Sequence, residues 1–148
     1  MARMLQDIVT LLNRLIQFDQ DAIEACKSAM DRLSDADKEE LAGALADHRR
    51  HVEDLATVVR NLGGEPANRA DVRVAQSKGR IATKGSSSAP RALLEAMHAS
   101  EKDARAAYES AISQPGVPVD VLLALERNLD HERDHVRVVT RLLQSAKT

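Results

Sequence analysis

Four stretches of this chain space their apolar residues at alternating steps of three and four, the pattern of one buried face on an α-helix. The first runs Ile8, Leu12, Leu15, Asp19, Ala22, Cys26, Ala29, Leu33, and the second Leu41, Leu45, His48, Val52, Leu55, Val59, Leu62. The third runs Leu94, Met97, Glu101, Ala104, Tyr108, Ala111, and the fourth Leu122, Leu125, Leu129, Glu132, Val136, Val139, Leu143. Amphipathic faces of this kind are stable only when buried against one another. With one Phe, one Tyr and no Trp, the interior must be aliphatic side chains, Ala and Met, most of which also favour helix. No stretch alternates β-branched residues as a strand does.

The breaks between stripes set the helix bounds at about 4–33, 35–62, 89–114 and 118–146. Ser34 and Asp37 resemble a capping box for the second helix. Gly63, Gly64 and Pro66 stop it. Ser88 and Pro90 open the third helix, Pro115 and Gly116 end it, and Pro118 suits the first turn of the fourth. The short links make helices 1 and 2, and helices 3 and 4, antiparallel hairpins. Residues 63–88 join the hairpins. A connector of that length reaches about 90 Å when extended, whereas a helix of about 27 residues is about 40 Å long. It can therefore cross the whole bundle and set helix 3 parallel to helix 2. The predicted fold is all-α: one antiparallel four-helix bundle domain over 1–148, two hairpins joined by one long crossover.

The hairpins also repeat each other. AIEACKSAM from Ala22 aligns with ARAAYESAI from Ala104 at an offset of 82 residues, and DHRRHV from Asp47 aligns with HERDHV from His131 at an offset of 84.

The four stripes are each interrupted once, by Asp19, His48, Glu101 and Glu132. Counted from the nearest turn, each lies about 14 to 16 residues away, so at about 1.5 Å per residue all four share one level. His51 and His135 follow His48 and Glu132 by three residues, on the same helix faces. Carboxylates buried together in an apolar core are costly unless something neutralises them. A divalent cation does so, and carboxylate with imidazole suits iron, manganese or zinc. Direct histidine–carboxylate ion pairs that fix the bundle's register are the alternative. The candidate ligands are Asp19, His48, His51, Glu101, Glu132 and His135. Asp47 lies about 100° around its helix from His48, which makes it a partner for a ligand histidine's other nitrogen. Tyr108 and His131 are candidates for the surrounding shell, His98 flanks the layer, and Cys26 reads as buried and inert.

The stretches LNRLIQFDQDAIEAC, DHRRHVEDL, LGGEP, ASEKDARAAYESAI and ERDHVRVV together resemble the small bacterial ferritin-like proteins, relatives of the rubrerythrin and ferritin di-iron bundles. The resemblance implies a di-metal carboxylate centre, with iron the usual metal and oxygen or peroxide the usual reactant. If the chain is an enzyme, the resemblance points to a ferroxidase- or peroxidase-like oxidoreductase. Asp19 and Glu101 take the places of the single carboxylates, and Glu132 with His135 that of one Glu-x-x-His motif. In helix 2 the expected Glu is His48. Three carboxylates for two divalent ions neutralise less charge, so one ion rather than two, or zinc or manganese, also fits.

The formal net charge of −2 and the scarcity of aromatics argue against nucleic acid. One cysteine excludes an intramolecular disulfide and a cysteine zinc cluster. No run approaches the roughly 18 apolar residues of a membrane span. The expectation is therefore a cytoplasmic protein, with charged outer faces suited to a homodimer or higher homo-oligomer. The basic residues between 69 and 84 suit an acidic partner or a solvated linker.

Overall fold

The structure is a computed structural model that describes residues 2–68 and 89–145. It contains four helices: α1 (Ala2–Met30), α2 (Asp35–Asn61), α3 (Pro90–Ile112) and α4 (Val119–Ser145). The basic stretch 69–84 and the capping role expected of Ser88 lie outside the described residues.

The ends follow local chemistry. Past Met30, the chain tightens into i→i−3 bonds from Arg32 and Leu33, so α1 stops short of the Leu33 that periodicity suggests. Ser34 caps α2, its hydroxyl oxygen accepting from the Asp37 N–H at 3.3 Å, with Asp35 and Asp37 favourably placed in the first turn. At the far end Gly63 takes a left-handed φ of 84°, and the Gly64 N–H reaches the Val59 carbonyl at 3.0 Å. This is a Schellman ending. Gly64 also has no room for a side chain: a Cβ there would lie 2.7 Å from Val9 Cγ1. Asn13 then clamps the departing chain, donating to the Glu65 carbonyl at 2.9 Å and accepting from the Ala67 N–H at 2.7 Å. Pro90 is the first residue of α3, after the N-cap Ala89. Pro118 precedes α4 rather than joining its first turn, its carbonyl accepting from Leu122.

α1 packs against α2 and α3, and α4 packs against α3 and α2, so α1/α4 and α2/α3 are the diagonals. Cross-helix contacts give the directions. Arg91 at the start of α3 bonds the Leu143 carbonyl at the end of α4. Arg141 near the end of α4 meets Glu40 near the start of α2. Tyr108 late in α3 meets Asp19 in mid-α1. Neighbours are thus antiparallel, and α2 and α3 run parallel. The α2–α4 seam is the least closely packed of the four.

Two apolar clusters fill the bundle. One, near the start of α1, includes Ile8, Leu12, Ile16, Leu55, Val59 and Leu125. The other, near its end, is built of smaller residues such as Ala25, Cys26, Ala29 and Ala44 with Leu94 and Met97. The buried faces of α2 and α4 sit slightly to one side of the expected stripes. Ala44 and His51 are buried while Leu45 and Val52 are half-buried; likewise Val121, His135 and Leu142 replace Leu122, Val136 and Leu143. No helix among the described residues is long and apolar enough to cross a membrane.

Candidate metal centre

Between the two apolar clusters lies one polar layer. Asp19, His48, Glu101 and Glu132 are wholly buried, and His51 and His135 nearly so. Each enters because the inward face of its helix carries it at mid-height. The i, i+3 spacing brings His51 beneath His48 and His135 beneath Glu132.

His48 is the hub. Its Nδ1 lies 2.8 Å from Asp19 Oδ1 and 3.4 Å from Glu132 Oε1, and its Nε2 lies 2.5 Å from Glu101 Oε1. His51 Nδ1 faces the same side, 3.2 Å from both Asp19 Oδ1 and Glu132 Oε1. On the other side His135 Nδ1 lies 3.2 Å from Glu101 Oε2 and 3.7 Å from Glu132 Oε2. The outer nitrogens have partners as well. His135 Nε2 pairs with Asp47 Oδ2 at 2.9 Å, and His51 Nε2 with His131 Nδ1 at 2.9 Å. The Tyr108 hydroxyl donates to Asp19 Oδ2 at 2.6 Å and lies 3.3 Å from Asn128 Nδ2.

The electrostatics follow from burial set against pairing. Burial pushes the Asp19 carboxyl up, but hydrogen bonds and charge from His48 and His51 outweigh it and hold it well below the usual range. Glu101 is brought down to about 2, its burial outweighed by His48 and His135. Burial alone would lower the histidines, but the neighbouring carboxylates raise His48 and His51, and raise His135 to about 10. Tyr108 is raised well above its ordinary value by burial and by Asp19, so it stays a donor. With a carboxylate against each nitrogen, His48 carries both protons in the metal-free chain, since a neutral imidazole has only one N–H.

Ion pairing does not satisfy the whole layer. Both Glu132 oxygens, Glu101 Oε2 and His135 Nδ1 are buried without a well-aligned hydrogen bond, although each has an ion-pair neighbour at 3.2 to 3.7 Å. Buried polar atoms without a good hydrogen bond are costly, and these lie against one another. Two sets of four side chains have ligand atoms within 4.8 Å of each other: Asp19, His48, His51, Glu132 and His48, Glu101, Glu132, His135. The donor set, carboxylate oxygen and imidazole nitrogen, suits iron, zinc or manganese.

Every candidate ligand from the sequence therefore lies in this layer. Asp47, Tyr108 and His131 touch it from outside. His98 does not; it pairs with Thr140 Oγ1 at 3.0 Å. Cys26 is buried, its thiol pushed up to about 12 by burial and by Glu101, which leaves it inert. Asn128 was not among the expected residues. Its seven-residue spacing from His135, another polar residue on the same buried face, is the signal that could have found it.

A four-helix bundle with one long crossover and a buried carboxylate–histidine layer is a ferritin-like architecture with a site able to hold metal. A crystal structure described as a ferritin-like, diiron-carboxylate protein from Bacillus anthracis str. Ames has the same fold, with a TM-score of 0.77. The similarity covers 97% of this chain and 99% of that one at 22% sequence identity. The chain belongs to the family described as Domain of unknown function (DUF2383), which matches residues 7–114. No curated protein matches it.

Proposed function

We propose that the polar layer is a carboxylate–histidine metal centre for one ion or two, that iron is its metal, and that it serves iron oxidation by oxygen or peroxide. The observation that carries this reading is the convergence of buried carboxylate oxygens and imidazole nitrogens, several without a well-aligned hydrogen bond and Glu132 above all, inside two overlapping four-residue sets. The diiron-carboxylate character of the Bacillus anthracis protein supports iron over zinc or manganese.

Bound iron supplies electrons to oxygen species and Lewis acidity. The chain's own residues do the rest. Asp19, Glu101 and Glu132 provide the negative charge, and Glu132 presents one oxygen to each half of the layer. Tyr108 holds Asp19 in one orientation through its hydroxyl. Asp47 and His131 fix the rings of His135 and His51 by their outer nitrogens, which decides the nitrogen that faces inward. The apolar clusters on either side exclude water from the layer.

One observation favours a second reading. His48 already ion-pairs with Asp19 and Glu101 at 2.8 and 2.5 Å, as a layer that only sets packing register requires. Metal analysis of the purified protein, followed by anaerobic addition of Fe(II) and exposure to oxygen, separates the two. The metal reading expects stoichiometric iron uptake and an oxygen-dependent change in the iron spectrum. Absence of uptake of iron, zinc and manganese alike leaves the register reading standing.

A further inference from the structure

The sequence repeat has a counterpart in the geometry of the layer. Offsets of 82 and 84 residues pair Asp19 with Glu101, His48 with Glu132, and His51 with His135. Each four-residue set is then one hairpin's three ligands plus a single side chain borrowed from the other hairpin. The first set borrows Glu132 and the second borrows His48. The two borrowed side chains occupy equivalent positions, but their chemistry differs.

Glu132 can serve both halves at once. Its Oε1 faces His48 and His51, and its Oε2 faces His135. A carboxylate has two acceptor oxygens and needs no further deprotonation to use both. His48 also faces both halves, Nδ1 toward Asp19 and Glu132 and Nε2 toward Glu101. A neutral imidazole, however, has one lone-pair nitrogen, and the other keeps its hydrogen. It can ligate one cation at a time. Charge acts in the same direction. The first divalent cation enters a layer of three carboxylates, Asp19, Glu101 and Glu132. The second meets only one remaining uncompensated negative charge and the repulsion of the first cation, at close range and out of water.

Building on the metal reading above, we infer that His48, standing where the repeat has Glu132, makes the two halves unequal. The layer takes one divalent cation tightly and a second weakly or not at all. His48 is thus a determinant of metal stoichiometry, acting through the single nitrogen it can offer.

The test is an equilibrium titration of the whole chain with Co2+ at fixed pH, read by the ligand-field absorption of bound cobalt and by metal analysis after dialysis. In the wild-type protein one ion binds, and any second binds at least about tenfold more weakly, a difference of about 1.4 kcal/mol. His48→Glu, which gives α2 the Glu-x-x-His of α4, binds two ions with affinities within about threefold of each other. Circular dichroism establishes that the variant folds. If it does not, Glu132→His, which leaves no bridging carboxylate, binds at most one ion, and the double exchange His48→Glu with Glu132→His behaves like wild type. Two equal ions in the wild-type protein overturn the inference and leave the metal reading intact. So do unequal ions in folded His48→Glu, or two equal ions in either substitute variant. No cobalt binding by the wild-type protein overturns both.

Discussion

The α1–α2 hairpin and the α3–α4 hairpin each send a carboxylate from the first helix and an i, i+3 pair from the second into the same layer, yet they are finished differently around it. Asp47 of one hairpin and His131 of the other are equivalent in the repeat, and each holds the histidine of the opposite hairpin. One support is therefore a carboxylate and the other an imidazole ring. Cys26 and Tyr108 are equivalent as well, as are Ala44 and Asn128. Tyr108 reaches Asp19 and lies beside Asn128, whereas Cys26 turns to the Leu41 carbonyl at 3.7 Å and leaves Glu101 without such a support. A duplicated scaffold supplies matching ligands at matching heights. The differences lie in how firmly each ligand is held and how charged its support is.

The largest break in this near-symmetry is to remove the carboxylate common to both halves. Glu132→Gln is expected to abolish metal retention altogether, because both four-residue sets lose the same member. Asp19→Asn or Glu101→Gln spoils one set only, so each is expected to keep metal in the other. Metal analysis after reconstitution and dialysis checks this; equal losses in all three variants would mean the halves are not separable.

Next in size is the pH dependence of the metal-free chain. His135 is raised from 6.5 to about 10, so its contribution to stability is complete below about pH 6.5 and fades as pH rises toward 10. His48 and His51 are raised too and add to the same loss. Glu101, lowered from 4.5 to about 2, and the still lower Asp19 contribute above about pH 4.5 and lose that contribution in acid. Denaturant melts are therefore expected to show greatest stability between about pH 4.5 and 6.5. Metal-loaded protein should instead gain stability above pH 6.5, since ligand histidines must be neutral. An unchanged profile on metal addition would count against ligation by these rings.

The helices and the level of the layer were legible because both depend on periodicity, which the sequence carries directly. So was the crossover, since residues 63–88 are too long for a tight turn. The exact inward face of α2 and α4 was less legible. Leu129 and Val136 complete an apolar stripe, but the buried face also uses Asn128 and His135, because polar partners across the bundle make those positions tolerable. Nor does the sequence tell which nitrogen of His48 faces which carboxylate; that depends on side-chain packing in three dimensions. Asn13 is a further case. It looks like a polar interruption of α1, and only the path of the chain after Gly64 reveals its role as a clamp.

Tyr108→Phe sharpens the comparison by giving Asp19 the unsupported state of Glu101. The lost bond is short, fully buried and made to a charged acceptor, so about 1.5–3 kcal/mol of stability should go with it. Urea denaturation of the metal-free protein measures this. A loss below about 0.5 kcal/mol would mean that the hydroxyl is not anchoring Asp19.

The smallest effect is expected at the half-exposed support. Asp47→Asn keeps an oxygen that can accept from His135 Nε2 but removes the carboxylate, so that neither hairpin's histidine is held by an anion at its outer nitrogen. Asp47 is lowered by its hydrogen bond from His135 and by nearby histidine charge, against the opposing effect of burial, so it is ionised across the working range. A charged acceptor raises the basicity of a ligand imidazole, and losing it should weaken metal affinity by about tenfold, the lower end for such supports. Stability of the metal-free chain should fall by less than about 1 kcal/mol, as for other partly solvated pairs. Competition titration against a chelator gives the first quantity and urea denaturation the second. A stability loss exceeding the affinity loss would mark Asp47 as a structural partner of His135 rather than a support for its ligand nitrogen, and would make the two hairpins less alike than their repeat suggests.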